Sequence, residues 1–138
     1  MFKKFPILFV DDDANIRGLG AEILREDGYT VLEAADASDA IRMLEDHPTV
    51  GLLFTDISMP GLCGYVLADM AVTRWPHLRV LYTTALLKTA VIDTQRGSFH
   101  GEMLVKPYSA ARLTAAIAGS LARARPSDTG WGDTQRRK

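Results

Sequence analysis

Short unbroken apolar runs alternate along this chain with longer stretches in which apolar positions recur every three or four residues. The runs fall at Pro6–Val10, Thr30–Glu33, Gly51–Thr55, Arg79–Thr83 and Glu102–Val105. ILFV and GLLF show no polar alternation, the pattern of parallel strands covered on both faces. Between the runs, Ala14–Asp27, Ser38–Asp46, Tyr65–Arg74 and Ser109–Arg123 predict helices; in the last, Leu113, Ile117 and Leu121 fall four apart on one face. A further helix, fourth in chain order, is expected within Leu86–Arg96, although Thr89, Val91, Ile92 and Thr94 are β-branched and Gly97 and Gly101 bracket a loop. Strand and helix in alternation make five β/α units, an α/β doubly wound sheet. From Pro126 the chain reads PSDTGWGDTQRRK without apolar period, so residues 1–125 are expected to form one domain and 126–138 a disordered tail.

Four of the predicted strands end in reactive side chains. Asp11 and Asp12 follow ILFV, Asp56 follows GLLF and Thr55, Thr84 follows VLY and Thr83, and Lys106 with Pro107 follows MLV. In an open α/β sheet, ligands bind beyond the carboxyl ends of parallel strands, so these groups can converge on one spot. Neighbouring residues of a regular strand point to opposite faces, and Asp11 and Asp12 can share a site only if the chain turns there. Asp13 before Ala14 supplies that turn, as the N-cap of the first helix. Two carboxylates about 4 Å apart repel by roughly 4 kcal/mol at an effective dielectric near 20, so a cluster of three calls for a counter-ion. Carboxylate and carbonyl oxygens in octahedral array suit Mg²⁺, with Mn²⁺ as a substitute.

This ordered set, with Asp56 inside GLLFTDISMPG and Lys106 inside GEMLVKPY, resembles the receiver domain of bacterial two-component response regulators over residues 5 to 124. The resemblance implies a flavodoxin-like five-stranded parallel sheet in the order 2-1-3-4-5 with five helices. It implies that Asp56 is the phosphoacceptor, that Asp12 and Asp56 ligate the metal directly, that Asp11 acts through water, and that the backbone carbonyl of Ser58 completes the protein ligands. Lys106 and Thr84 would stabilise the oxygens of the transferred group. Thr83 is the adjacent alternative; the family motif sets Thr or Ser directly before a small residue, here Ala85, which selects Thr84. Receivers usually have the Lys-Pro bond in cis. Many also carry Tyr or Phe three residues before the lysine, where this chain has Met103, so aromatic switching as usually described is not expected. The implied partners are a sensor histidine kinase or a histidine phosphotransfer protein, and a downstream protein met by the face made from the Leu86–Arg96 helix, the fifth strand and the helix from Ser109.

Composition narrows the remaining possibilities. Sixteen basic against 17 acidic residues give a net charge of -1, which supplies no electrostatic reason for a nucleic-acid or membrane-surface partner. No run approaches the roughly 18 apolar residues of a membrane span. Together with the single cysteine, Cys63, this predicts a cytoplasmic protein. His47, His77 and His100 lack metal-ligand spacing. Gly18 and Gly20 follow the acids without forming a dinucleotide fingerprint. The expected protein is therefore no enzyme beyond catalysing its own phosphorylation and dephosphorylation. A haloacid-dehalogenase-type Mg²⁺-dependent phosphatase is the alternative from another class; it needs DxDx[TV] on the first strand, and Asn15 stands where Thr or Val belongs. A receiver fold used as a phosphorylation-independent binding module is the third reading, opposed by the full set of reactive residue types.

Overall fold

The computed structural model describes residues 5–85 and 100–122. In chain order they form β1 (Ile7–Val10), α1 (Ala14–Glu26), β2 (Val31–Ala34), α2 (Ala37–Asp46), β3 (Leu52–Asp56), α3 (Gly64–Arg74), β4 (Arg79–Ala85), β5 (Gly101–Lys106) and α4 (Ala110–Ala122). The strands make one parallel sheet in the order β2-β1-β3-β4-β5, as expected for the α/β class predicted. The expected count of five helices is corrected to four among the described residues. The helix predicted within Leu86–Arg96 lies outside them, as does the tail expected from Pro126.

Alternation along the strands divides the core into two layers. On one face Ile7, Phe9, Leu52, Phe54, Leu81 and Leu104 pack against Leu24 of α1 and Leu113 and Ile117 of α4. On the other, Leu8, Val10, Leu53, Val80 and Tyr82 pack against Leu44 of α2 and Leu67 and Ala71 of α3. Every residue of β1 and β3 is buried, which explains their unbroken apolar runs. Each such side chain contributes about 1.5–3 kcal/mol of burial. The Phe9 and Phe54 rings lie 4.5 Å apart under the site end of the sheet. Helix α1 lies so close to them that a Cβ on Gly20 would come 2.5 Å from the Phe9 ring. Gly20 thus has a packing reason that outweighs its poor helix propensity.

Element ends deviate from expectation by a residue or two, and the deviations matter at the site. β3 runs one residue further, so Asp56 is its last residue, and β4 runs on to Ala85, with both threonines inside it. α2 starts one residue early because Asp36 rather than a later residue caps it, accepting from the Asp39 N–H at 2.8 Å. No helix among the described residues is long and apolar enough to cross a membrane.

Candidate functional site

At the C-terminal edge of the sheet, β1 and β3 are neighbours, with Val10 opposite Thr55. The next residues on each, Asp11 and Asp56, are 0% and 2% exposed, a placement that charged groups take only when paired or used. The sequence supplies the turn that brings Asp12 alongside. The Asp13 N–H donates to Asp11 Oδ1 at 2.9 Å, and Asp13 Oδ1 in turn accepts from the N–H groups of Asn15 and Ile16, capping α1. Asp12 is exposed, and carboxylate oxygens of Asp11, Asp12 and Asp56 all lie within 4.8 Å of one another. These are the three acids predicted to share a site.

Lys106, the last residue of β5, reaches across β4 to this cluster. Its Nζ lies 3.0 Å from Asp11 Oδ2 and donates to Asp56 Oδ2 at 3.2 Å. Burial pushes the Asp56 carboxyl above its ordinary value, against the lowering influence of Lys106; the Asp11 charge adds to the rise. Burial alone would lower the Lys106 ammonium, but the Asp11 and Asp56 carboxylates reverse this and hold it above the usual lysine value. Lys106 thus meets two of the three acids, and clustered carboxylate oxygens of this kind fit a divalent ion such as Mg²⁺. The Lys106-Pro107 bond is cis.

Ser58 sits two residues beyond Asp56, and its N–H donates to Asp56 Oδ1 at 3.2 Å. The ligand role of its carbonyl rests on the family resemblance. The loop returns tightly: the Gly64 N–H donates to the Ile57 carbonyl at 2.7 Å, and a Cβ on Gly64 would collide with the Asp56 carbonyl oxygen.

The two threonines differ. Thr83 is the register partner of Asp56 on β4, fully buried, with Oγ1 lacking a hydrogen-bond partner among the described residues. Thr84 stands one step nearer the edge, and among the described residues its Oγ1 donates to the carbonyl of the next residue, Ala85, at 3.2 Å. A hydroxyl held by such a local bond is free to turn to a new acceptor. Removing an unsatisfied buried hydroxyl without changing shape is favourable. Thr83→Val should therefore raise stability by about 1 kcal/mol in urea unfolding and leave phosphorylation intact, whereas Thr84→Val should still be phosphorylated but lose the accompanying change in hydrogen exchange. The reverse pattern would move the hydroxyl role to Thr83.

Tyr108 went unnoticed in the sequence. Its ring lies 6.3 Å from that of Phe54, its hydroxyl is buried without a partner among the described residues, and burial together with the charges of Asp11 and Asp56 pushes it up to about 12. The signal, an aromatic directly after Lys-Pro at the site edge, was available in the sequence. Two of the histidines have partners outside the acid cluster: His77 meets the Val50 carbonyl, and His100 pairs with Asp69 of α3.

The response regulator receiver domain family matches residues 7–118. The chemotaxis protein CheY of Pseudomonas aeruginosa is 37% identical over 108 residues, which cover 75% of this chain and 86% of CheY. The transcriptional regulatory protein YrkP of Bacillus subtilis is 31% identical over 121 residues, 86% of this chain but 50% of YrkP. The chain thus spans about half of YrkP, and 24% of the response regulator protein FleR of Pseudomonas aeruginosa. Among solved structures, the receiver domain from the hybrid histidine kinase CckA matches with a TM-score of 0.71 at 31% identity, over 84% of this chain and 98% of that domain. Strand order, the chemistry at the sheet edge and the sequence match agree: the chain belongs to the response regulator receiver domain family of two-component systems.

Proposed function

We propose that Asp56 takes a phosphoryl group from the phosphohistidine of a sensor histidine kinase or histidine phosphotransfer protein, in a reaction that requires Mg²⁺ or Mn²⁺. The observation that carries this is the bridge from Lys106 to Asp11 and Asp56, which assembles residues 50 positions apart into one charged pocket. Asp12, Asp56 and the Ser58 carbonyl would hold the ion directly and Asp11 through water. When bound, the ion neutralises the carboxylates and polarises the phosphoryl oxygens. An Asp56 oxygen attacks phosphorus in line; the N–P bond to the imidazole breaks, and the product is an aspartyl phosphate. Lys106 moves from balancing carboxylates to balancing the transferred group, and Thr84 turns its hydroxyl to a phosphoryl oxygen.

Asp11, the nucleophile that the phosphatase alternative needs, is fully buried, with one oxygen on the Asp13 N–H and the other against Lys106. Asp56 sits in a matching setting, so the phosphatase reading is opposed instead by Asn15, which stands where its motif needs Thr or Val. Turnover of other phosphate esters is no part of the proposal, which places the chain in the cytoplasm. Signalling would go by protein contact through a face that includes β5 and α4; the receiver itself would not touch nucleic acid.

Incubation with Mg²⁺ and acetyl phosphate should add one acid-stable, base-labile phosphoryl group by intact mass, and a chelator should prevent it. Multiple turnover of p-nitrophenyl phosphate without a stable adduct would overturn the proposal in favour of a phosphatase.

A further inference from the structure

We infer that Arg17, held by Glu33, is a positioning residue that ends β1 at Asp11 and so lets Asp11 and Asp12 serve one cation. The Asp11 N–H still bonds across the sheet to the Ala34 carbonyl at 3.2 Å, so the strand ladder reaches this residue. Its carbonyl does not continue the ladder. It accepts instead from Arg17 Nη1 at 2.6 Å, a charge-assisted bond from the second turn of α1. The same guanidinium is fixed from its other edge, Nε donating to Glu33 Oε1 at 3.1 Å. Glu33, on β2, is gripped again through Oε2 by Arg25 at 3.2 Å, and Arg25 also donates to the Val31 carbonyl at 2.7 Å. The Arg17 side chain is only 17% exposed, far from a solvated surface arginine.

The clamp acts on the backbone between the two acids, where geometry decides whether both face the cluster. A strand that continued one residue further would send Asp12 to the face opposite Asp11. With the Asp11 carbonyl drawn toward α1, the chain turns, and the acids' oxygens come together. A planar fork can meet a carbonyl and a carboxylate at once, whereas an ammonium acts as a point charge.

This inference rests on the cation site proposed above, and Mg²⁺ titration by calorimetry separates the two. If the parent protein binds no Mg²⁺, the cation reading falls; if it binds and the Arg17 variants bind equally, only the clamp falls. The sign of the change discriminates as well. Arg17 is a positive charge beside a cation site, so by electrostatics alone Arg17→Met should tighten Mg²⁺ binding and Arg17→Lys should leave it unchanged. Positioning predicts that both weaken it, Arg17→Met by tenfold or more, the usual effect of losing an outer partner of a metal site. Glu33→Gln, which keeps an acceptor for Arg17, should stay near the parent value. Melting curves establish that each variant is folded, and if Arg17→Met is not, Arg17→Lys decides alone. Unchanged or tighter binding by a folded Arg17 variant would overturn the inference.

Discussion

Asp56→Asn should form no phosphoryl adduct at all, and in metal-free buffer at neutral pH it should be more stable than the parent by about 1 kcal/mol. The substitution keeps the shape, removes the nucleophile and relieves a carboxylate that burial and Asp11 both disfavour. Its pH dependence has a definite sign. A carboxyl raised in the folded state favours folding while protonated, and that benefit is lost as pH rises from the ordinary carboxylate range through the raised titration. The gain from Asn should therefore be near zero in acid, where Asp56 is neutral, and complete at neutral pH. Urea unfolding at several pH values reads this directly. A mutant less stable than the parent at neutral pH without metal would contradict a crowded acidic pocket, and an undiminished adduct would place the acceptor elsewhere.

Lys106→Ala should be the most destabilising single change at the site. It strands two buried carboxylates, and breaking such a pair from one side costs about 3–5 kcal/mol in well-buried cases. With 15% of the Lys106 side chain exposed, the lower figure applies. The loss should shrink in acid as Asp56, whose carboxyl is raised, protonates, and should be partly restored by millimolar Mg²⁺, which replaces the missing positive charge. Phosphorylation by acetyl phosphate should slow about a hundredfold, the scale on which one preorganised donor to a developing negative charge acts. Adding Asp56→Asn should recover stability but not phosphorylation, because the two side chains are in contact and their effects are coupled. A double mutant whose stability change equals the sum of the two single changes would show that Lys106 does not balance Asp56.

The sequence disclosed most where a single physical demand dominated. ILFV and LLF read as strands because both faces of the sheet are covered, and Asp11, Asp12, Asp56 and Lys106 read as one site because parallel strands all end on the same edge. It disclosed less where a hydroxyl or a charge was buried. Thr83 and Thr84 look like the end of a strand, yet β4 continues through them, since a threonine on a central strand can be fully enclosed. Arg17 and Glu33 lie 16 residues apart on different elements, and no local pattern announces their pairing. Tyr108 was visible but its burial was not, because that depends on the packing of Phe54 beneath it.

The strand order also divides labour along the chain. The three acids come from the turn between β1 and α1 and from the end of β3, all within residues 11–56, whereas Thr84 and Lys106 belong to β4 and β5. Within the sheet the boundary between these groups is the pairing of β3 with β4, closed at the site by the Ile57 N–H on the Thr83 carbonyl at 2.9 Å, and beside it α1 packs against α4. The first half of the chain thus holds the acids, and the second brings the hydroxyl and the ammonium to them. A substitution that loosens the β3–β4 pairing would therefore misplace the hydroxyl and the ammonium while leaving the three acids where they are.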